Sequence, residues 1–335
     1  MSIASEDDIL GLVGRFFPVE HPSLLLGRGD DCAVLKRGGP LAVTTDIFAE
    51  DTHFRRRYFT PFDIGFKSAA VNVSDVCASG ARPSGLSLGL TLTGREDESW
   101  LSGFCEGLKT VCDRHDLALS GGDLTRSSLI NVCVTAWGEL PEELPQGLRR
   151  GVAEEGDLIF LAGTAGLARL GLTLLEASAG QDEVRQVKAD WPHACARHLR
   201  PEPLVSDGTA LSRLAVEHDA GDRIGLMDVS DGLARDLPRL LARSRTGLGA
   251  DISLPADSLD EEILRYAEKK GVDASSFAFD GGEDYALVGT CPENLWQKIS
   301  EALRSPVRVL GRVRKGEITL NGKRPSSAGF DHFSR

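Results

Sequence analysis

The chain has 335 residues, enough for two domains that each bury a core. Its hydrophobic content of 41% is ordinary for a folded globular protein, and a net charge of −12 excludes nonspecific nucleic-acid binding, which needs a basic footprint. That charge does not exclude a phosphorylated ligand, because bound divalent cations reverse the local sign.

In chain order, Ser5 and Asp8 form a capping-box pattern before Ile9, Leu10, Val13, Phe16 and Phe17, which predicts a short amphipathic helix. Gly27-Arg28-Gly29-Asp30-Asp31 reads as a turn. Residues 32–35 and 41–45 read as strands around the turn at 37–40. A loop over 51–58 carries His53 and the basic run Arg55-Arg56-Arg57.

Residues 67–83 predict a helix closed by Gly80 and the later Pro83. Ser68, Asn72, Asp75 and Ser79 fall on one face, and the rest of the helix is small or apolar. Two readings are open. The stripe is either the solvent face of a surface helix, or a helix buried on most sides that presents Asp75 to a polar cavity.

Residues 85–92 read as a strand. Residues 96–116 read as a long amphipathic helix with Trp100, Phe104, Leu108, Val111 and Cys112 at helical spacing. Residues 117–119 lead into Gly121-Gly122-Asp123, and 130–137 are strand-like. The proline-, glycine- and charge-rich stretch 141–156 marks a domain boundary, giving an N-terminal domain over 1–140 and a C-terminal domain over 150–335.

Beyond the boundary, 157–161 and 224–227 read as strands, the latter ending at Asp228. Helices are expected from the turn at Gly163-Thr164-Ala165-Gly166 through 177, and over 205–216, 231–243, 261–270 and 293–303. Strands are expected at 285–289, 307–313 and 318–320. Strands and helices mix in both halves, so the fold class is α/β or α+β, with topology left open by periodicity.

Seven cysteines show no CxxC and no Cys/His metal spacing, and most have apolar neighbours. They read as reduced core residues of a cytoplasmic protein. The acidic N-terminus lacks the basic region of a signal peptide, and no apolar run approaches the ~18 residues a membrane span needs.

Acids recur where strands are expected to meet turns: Asp30-Asp31, Asp46 after Thr44-Thr45, Asp123, Asp228-Val229-Ser230-Asp231, and Gly282-Glu283-Asp284. Such placement is the pattern of a site assembled from many loops. Two unit charges ~4 Å apart repel by about 4 kcal/mol at an effective dielectric of 20. A site gathering Asp30, Asp46, Asp75, Asp123 and Asp228 must therefore hold protons or cations. Oxygen donors favour Mg²⁺ or Mn²⁺ over Zn²⁺, and Thr44 and Thr45 add neutral oxygens.

Ser230 or Asp231 is placed to cap the following helix. Gly121-Gly122-Asp123 admits close backbone approach to a phosphate. No P-loop and no protein-kinase motif pair occurs. His53 and Arg150, taken alone, read as ordinary surface or core residues.

The motifs Gly29-Asp30-Asp31, Thr44-Thr45-Asp46 followed by His53-Phe54, Asn72-Val73-Ser74-Asp75 followed by Gly80-Ala81-Arg82-Pro83, Gly121-Gly122-Asp123, Asp228-Val229-Ser230-Asp231, Gly282-Glu283-Asp284-Tyr285 and Gly329-Phe330-Asp331-His332-Phe333 occur in this order. As an ordered set, running from about residue 5 to the end, they resemble the thiamine-monophosphate kinase family.

That resemblance implies the two-domain aminoimidazole-ribotide synthetase-like fold, with N-terminal strands forming a barrel across a homodimer. It implies transfer of the γ-phosphoryl of ATP to thiamine monophosphate. It implies several magnesium ions held by Asp30, Thr44, Thr45, Asp46, Asp75, Asp123, Asp228 and Asp231, with Asp75 and Asp231 central to catalysis. ATP contacts fall on Gly122, Asp123, Arg150 and Ser230, and acceptor contacts on His53, Glu283 and Phe330. Phe330 stands where tyrosine or tryptophan is common in the family.

Two rival readings are another ATP-dependent synthetase of the same superfamily and a noncatalytic divalent-cation-binding protein. The His53-Phe54 and terminal motifs favour the thiamine reading, and ATP binding separates it from a pure cation binder.

Overall fold

In the computed structural model, which describes residues 5–28, 32–241 and 247–325, the first helix starts on the capping box expected from sequence. The Ser5 hydroxyl accepts from the Asp8 amide at 3.2 Å, and the Asp8 carboxylate accepts from the Ser5 amide at 3.0 Å. Helix α1 spans Glu6–Phe16. The chain divides into two units, Met1–Val76 with Ala81–Glu142, and Cys77–Gly80 with Glu143–Arg335.

In the first unit, β1 (Leu24–Leu26) and β2 (Val34–Leu35) pair antiparallel. Then come β3 (Leu41–Ala49), α2 (Pro61–Ala78), β4 (Arg82–Leu92), α3 (Glu98–His115), β5 (Ala118–Arg126) and β6 (Asn131–Glu139). The four-stranded sheet has the order β3-β6-β4-β5, with β4 and β5 parallel and the other pairs antiparallel. The strands flanking the 37–40 turn thus part company: β2 turns back on β1, and β3 becomes an edge of the larger sheet.

Helix α2 begins six residues before its expected start. Thr60 and Asp63 make a capping box, with the Thr60 amide and hydroxyl donating to the Asp63 carboxylate at 2.9 and 2.7 Å, and Pro61 takes the first helical position. Of the two readings of the polar stripe, the buried one holds. Ser68 and Asn72 are each 1% exposed, and Asp75 is half-buried. Helix α3 crosses α2 backbone to backbone. A Cβ at Gly65 would lie 2.0 Å from the Phe104 carbonyl oxygen, and one at Gly107 would lie 2.0 Å from that of Phe62.

The second unit contains β7 (Leu158–Ala162), α4 (Leu167–Ala177), α5 (Gln181–Asp190), α6 (Pro192–Leu199), α7 (Val205–Glu217), β8 (Gly225–Asp228), α8 (Leu233–Leu241), β9 (Leu248–Ile252), α9 (Glu261–Lys270), α10 (Ala274–Phe279), β10 (Leu287–Cys291), α11 (Trp296–Ala302), β11 (Val307–Lys315) and β12 (Thr319–Leu320). Its sheet has the order β12-β9-β11-β7-β10-β8. Strands β7, β8 and β10 are buried along their whole length, as continuous apolar runs require. Phe160, Leu226 and Leu287 pack there with Leu211 and Ala215 of α7 and Ile299 of α11.

Helices α5, α6 and α10 and strand β9 lie outside the elements expected from sequence. Helix α5 buries little besides Val184, so its apolar period is faint. All seven cysteines are free thiols, five of them buried, and burial pushes Cys105, Cys112, Cys195 and Cys291 up to about 12. No described helix is long and apolar enough to cross a membrane.

Candidate active site

Strand β3 alternates along its length, with Val43, Thr45 and Ile47 exposed and Thr44, Asp46 and Phe48 turned inward. Its inward residues meet α2. The Thr44 hydroxyl donates to the Asp75 carboxylate at 2.7 Å, and the Asp46 amide donates to the Asn72 side-chain oxygen at 3.1 Å. Asn72 is itself fixed by donating to the Ser68 carbonyl at 2.9 Å. The Asp46 carboxyl is pushed up to about 6, first by burial and then by repulsion from Asp75.

Two carboxylates, a hydroxyl and an amide oxygen therefore converge from a strand and a helix. This donor set suits a hard cation that keeps water or phosphate in the rest of its shell. Among the described residues, no three or more His, Cys, Asp or Glu side chains gather into a metal-holding group. Asp30 lies outside the described residues.

Thr45 sits on the opposite face of β3 from Thr44 and Asp46, its hydroxyl 2.8 Å from that of Thr135. Asp123 lies within β5 rather than in a turn. It pairs through Gly89 and Cys133 with Ile47, so it shares Thr45's face, and it is exposed. In the same ladder Gly122 falls in register with Leu88, Val134 and Asp46. Three strand spacings separate β3 from β5, about 14 Å. His53 follows β3. Its Nδ1 accepts from the Ala49 amide at 3.0 Å, and its ring lies 5.8 Å from that of Phe48.

In the second unit, β8 ends at Asp228, which is 2% exposed, and Val229–Gly232 turns into α8. Asp236 of α8 holds this turn. Its carboxylate accepts from the amides of Ser230 and Asp231, each at 3.0 Å. Arg239 bridges Asp236 at 3.0 Å and Asp231 at 2.6 Å, and Arg235 lies 3.6 Å from Asp231. Burial pushes the Asp236 carboxyl up to about 6, against the lowering effect of the Asp231 amide. Arg150 is exposed, and the next amide, Gly151, donates to the Leu240 carbonyl near the end of α8 at 2.8 Å.

The Gly281–Tyr285 stretch lies alongside that turn. Glu283 donates its amide to the Ser230 carbonyl at 2.8 Å, and Tyr285 donates to Val229 at 3.0 Å. A Cβ at Gly282 would lie 2.5 Å from the Ser230 oxygen, so only glycine allows the approach. Glu283 adopts a φ of 65° and Tyr285 one of 51°. Asp284 is fully buried and caps α4, accepting from Gly166 at 2.6 Å and Ala168 at 2.9 Å; burial pushes its carboxyl up to about 6. The Glu283 carboxylate lies 3.1 Å from Nδ1 of buried His198. Phe330 lies outside the described residues.

The second unit therefore brings Asp228, Ser230, Asp231 and Glu283 into one cluster, and the first brings Thr44, Asp46 and Asp75 into another. Sequence reading passed over Asp236 and His198, and named Asp284 in an acidic motif without giving it a role. Asp236 had a visible signal, an acid eight residues after the strand-end Asp228 on a new helix. Asp284 and His198 act across 116 and 85 positions of chain, and no local pattern announces them.

Each of the two mixed α/β units carries an acidic cluster of its own, and comparison with known proteins gives the class of the chain. Residues 29–140 match the family described as AIR synthase related protein, N-terminal domain. The chain is 35% identical to the thiamine-monophosphate kinase of Haemophilus influenzae, covering 96% of this chain and 97% of that one. It resembles the crystal structure of thiamine-monophosphate kinase from Stenotrophomonas maltophilia at 33% identity, with a TM-score of 0.76 and 95% of each chain covered. It also resembles AaThiL complexed with AMPPCP and TMP at 29% identity, with a TM-score of 0.70, covering 98% of this chain and 97% of that one. The chain belongs to the thiamine-monophosphate kinase family.

Proposed function

We propose that the chain transfers the γ-phosphoryl of ATP directly and in line to thiamine monophosphate, giving thiamine diphosphate and ADP. The observation that carries the reading is the convergence of Asp46 and Asp75 with the Thr44 hydroxyl, in a chain whose relatives are thiamine-monophosphate kinases along nearly all its length. Magnesium bound among these oxygens would neutralise phosphate charge and fix its geometry.

The acceptor is itself a phosphate, ionised near neutral pH, so no strong base is required. The task of the residues is to hold two anions in line and exclude water. Asp30, Thr44, Thr45, Asp46, Asp75, Asp123, Asp228 and Asp231 are assigned to magnesium, with Asp75 and Asp231 central to catalysis. Thr44, Asp46 and Asp75 carry the strongest geometric support. Asp231 is shared with Arg239 and Arg235, while Thr45 and Asp123 rest on the family motifs alone. Gly122, Asp123, Arg150 and Ser230 are assigned to ATP, and His53, Glu283 and Phe330 to the acceptor.

The chain acts as a homodimer through its N-terminal strands in this reading, and in the cytoplasm. Exposed Leu25, Val34, Val43 and Ile47 on β1–β3 support the first, and buried free thiols support the second. The deciding experiment incubates purified protein with ATP, Mg²⁺ and thiamine monophosphate and follows products by phosphorus NMR. Thiamine diphosphate and ADP in equal amounts, abolished by EDTA, are expected. ATP binding with no thiamine diphosphate would favour another ATP-dependent synthetase of the superfamily, and indifference to ATP would leave a cation-binding protein.

A further inference from the structure

We propose that His198 is a positioning residue that fixes the Glu283 carboxylate for recognition of a cationic or amino-bearing heteroaromatic ring, an inference that rests on the acceptor role assigned above to Glu283. His198 is 0% exposed, and its Nδ1 lies 3.1 Å from Glu283 Oε2. The Glu283 side chain stays 26% exposed, so one oxygen faces the histidine while the carboxylate still reaches solvent.

The surroundings hold the pair in place. Helix α6, which carries His198, lies hard against α4. A Cβ at Gly171 of α4 would sit 2.2 Å from the Ala194 carbonyl and 2.9 Å from the His198 Cβ. Helix α4 is capped by Asp284, the residue after Glu283, and Arg197 donates to the Asp284 carbonyl at 3.4 Å. On its other side the loop is pinned by the Glu283 amide on Ser230.

The backbone at Glu283 is thus fixed from both sides, in a left-handed conformation that glutamate rarely adopts. A glutamate side chain on a fixed backbone still has three free torsions. A buried imidazole held 3.1 Å from one carboxylate oxygen, as a close ion-pair neighbour, restricts them and leaves the other oxygen for a ligand. A buried histidine beside an acid in an otherwise structural helix pair has this use. An acid so held binds a ring bearing positive charge or an amino group, because both present what a carboxylate accepts.

The test compares His198→Leu, which removes the imidazole, with His198→Asn, whose side-chain amide falls near the Nδ1 position. Steady-state kinetics are run with each substrate varied in turn. His198→Leu is expected to raise KM for thiamine monophosphate about tenfold, with KM for ATP and kcat within about twofold of wild type, while His198→Asn restores most of the loss. A folded His198→Leu enzyme with unchanged KM for thiamine monophosphate overturns the proposal. So does an equal loss in every kinetic parameter for both variants.

Should His198→Leu fail to fold, Glu283→Gln, His198→Ala and the double variant are compared by thermal unfolding. Midpoint shifts that fall short of additivity support the pairing, and additive shifts overturn it. A wild-type enzyme that makes no thiamine diphosphate defeats the acceptor reading instead, and the unfolding cycle still decides the pairing.

Discussion

The Thr44 hydroxyl donates to the Asp75 carboxylate across 2.7 Å, tying the edge strand β3 to the buried helix α2. Asp75→Asn keeps an oxygen for Thr44 and removes the charge. It is expected to lower kcat by about 10²-fold or more, the order seen when one group that stabilises developing charge is lost. In metal-free buffer its thermal midpoint should equal or exceed the wild-type value, because the Asp46–Asp75 repulsion is relieved. A folded variant with near-normal turnover would remove Asp75 from the mechanism.

Asp46 predicts a pH dependence. Its carboxyl is pushed up to about 6 in the fold, against an ordinary value of about 3.9. Magnesium binding there displaces a proton below about pH 6, so affinity should rise with pH up to that value and level off above it. In metal-free protein the raised value favours the fold while the group is protonated. This stabilisation is complete below about pH 4 and is lost as pH rises through about 6. Calorimetric titration of Mg²⁺ in buffers of different ionisation enthalpy checks the first statement. Asp46→Asn should flatten both profiles.

Asp236→Ala strips two amides, Ser230 and Asp231, of their common acceptor and leaves Arg239 with Asp231 alone. An orphaned buried donor costs about 1–3 kcal/mol. Denaturant unfolding should show a loss of that order, together with a fall in kcat as the turn after β8 loosens. A variant with wild-type stability and kcat would show that the turn holds its shape without Asp236.

Gly282→Ala introduces a methyl 2.5 Å from the Ser230 carbonyl oxygen. The Gly281–Tyr285 stretch must then move off the Asp228–Asp231 turn, at an overpacking cost of about 1–3 kcal/mol. Affinity for thiamine monophosphate is expected to fall sharply, since Glu283 rides on the displaced segment. Isothermal titration with that ligand provides the check, and unchanged binding would separate Glu283 from the acceptor.

Val43 and Ile47 expose 63% and 60% of their surface on the outward face of an edge strand. If the N-terminal strands form the subunit contact, Val43→Lys combined with Ile47→Lys should shift the mass seen by light scattering from two chains to one. A wild-type mass of one chain at micromolar concentration would end the dimer proposal.

Local rules made much of this protein legible in its sequence. The Ser5–Asp8 capping box, the period of α3 and the extent of α9 depend on residues within a few positions of one another. The ordered acidic motifs were visible too, because each needs only a strand end and a few neighbours. The polar stripe of α2 gave Asp75 its place on a helix face, while burial of Ser68 and Asn72 could be decided only by what packs around them.

Through-space relations were settled by tertiary structure alone. Thr44 and Thr45 are adjacent and alike in the sequence, yet the pleat of β3 turns one hydroxyl to Asp75 and the other to Thr135. Asp123 reads as a turn residue after two glycines, but strand pairing carries β5 straight through it. Asp284 caps a helix that begins 117 positions earlier, and His198 meets Glu283 only because α6 crosses α4 without a side chain at Gly171. Capping and periodicity are fixed by bonds between near neighbours. The ionisation of Asp46, Asp236 and Asp284 depends on how much water the assembled chain excludes from each carboxylate, and that exists only once the fold does.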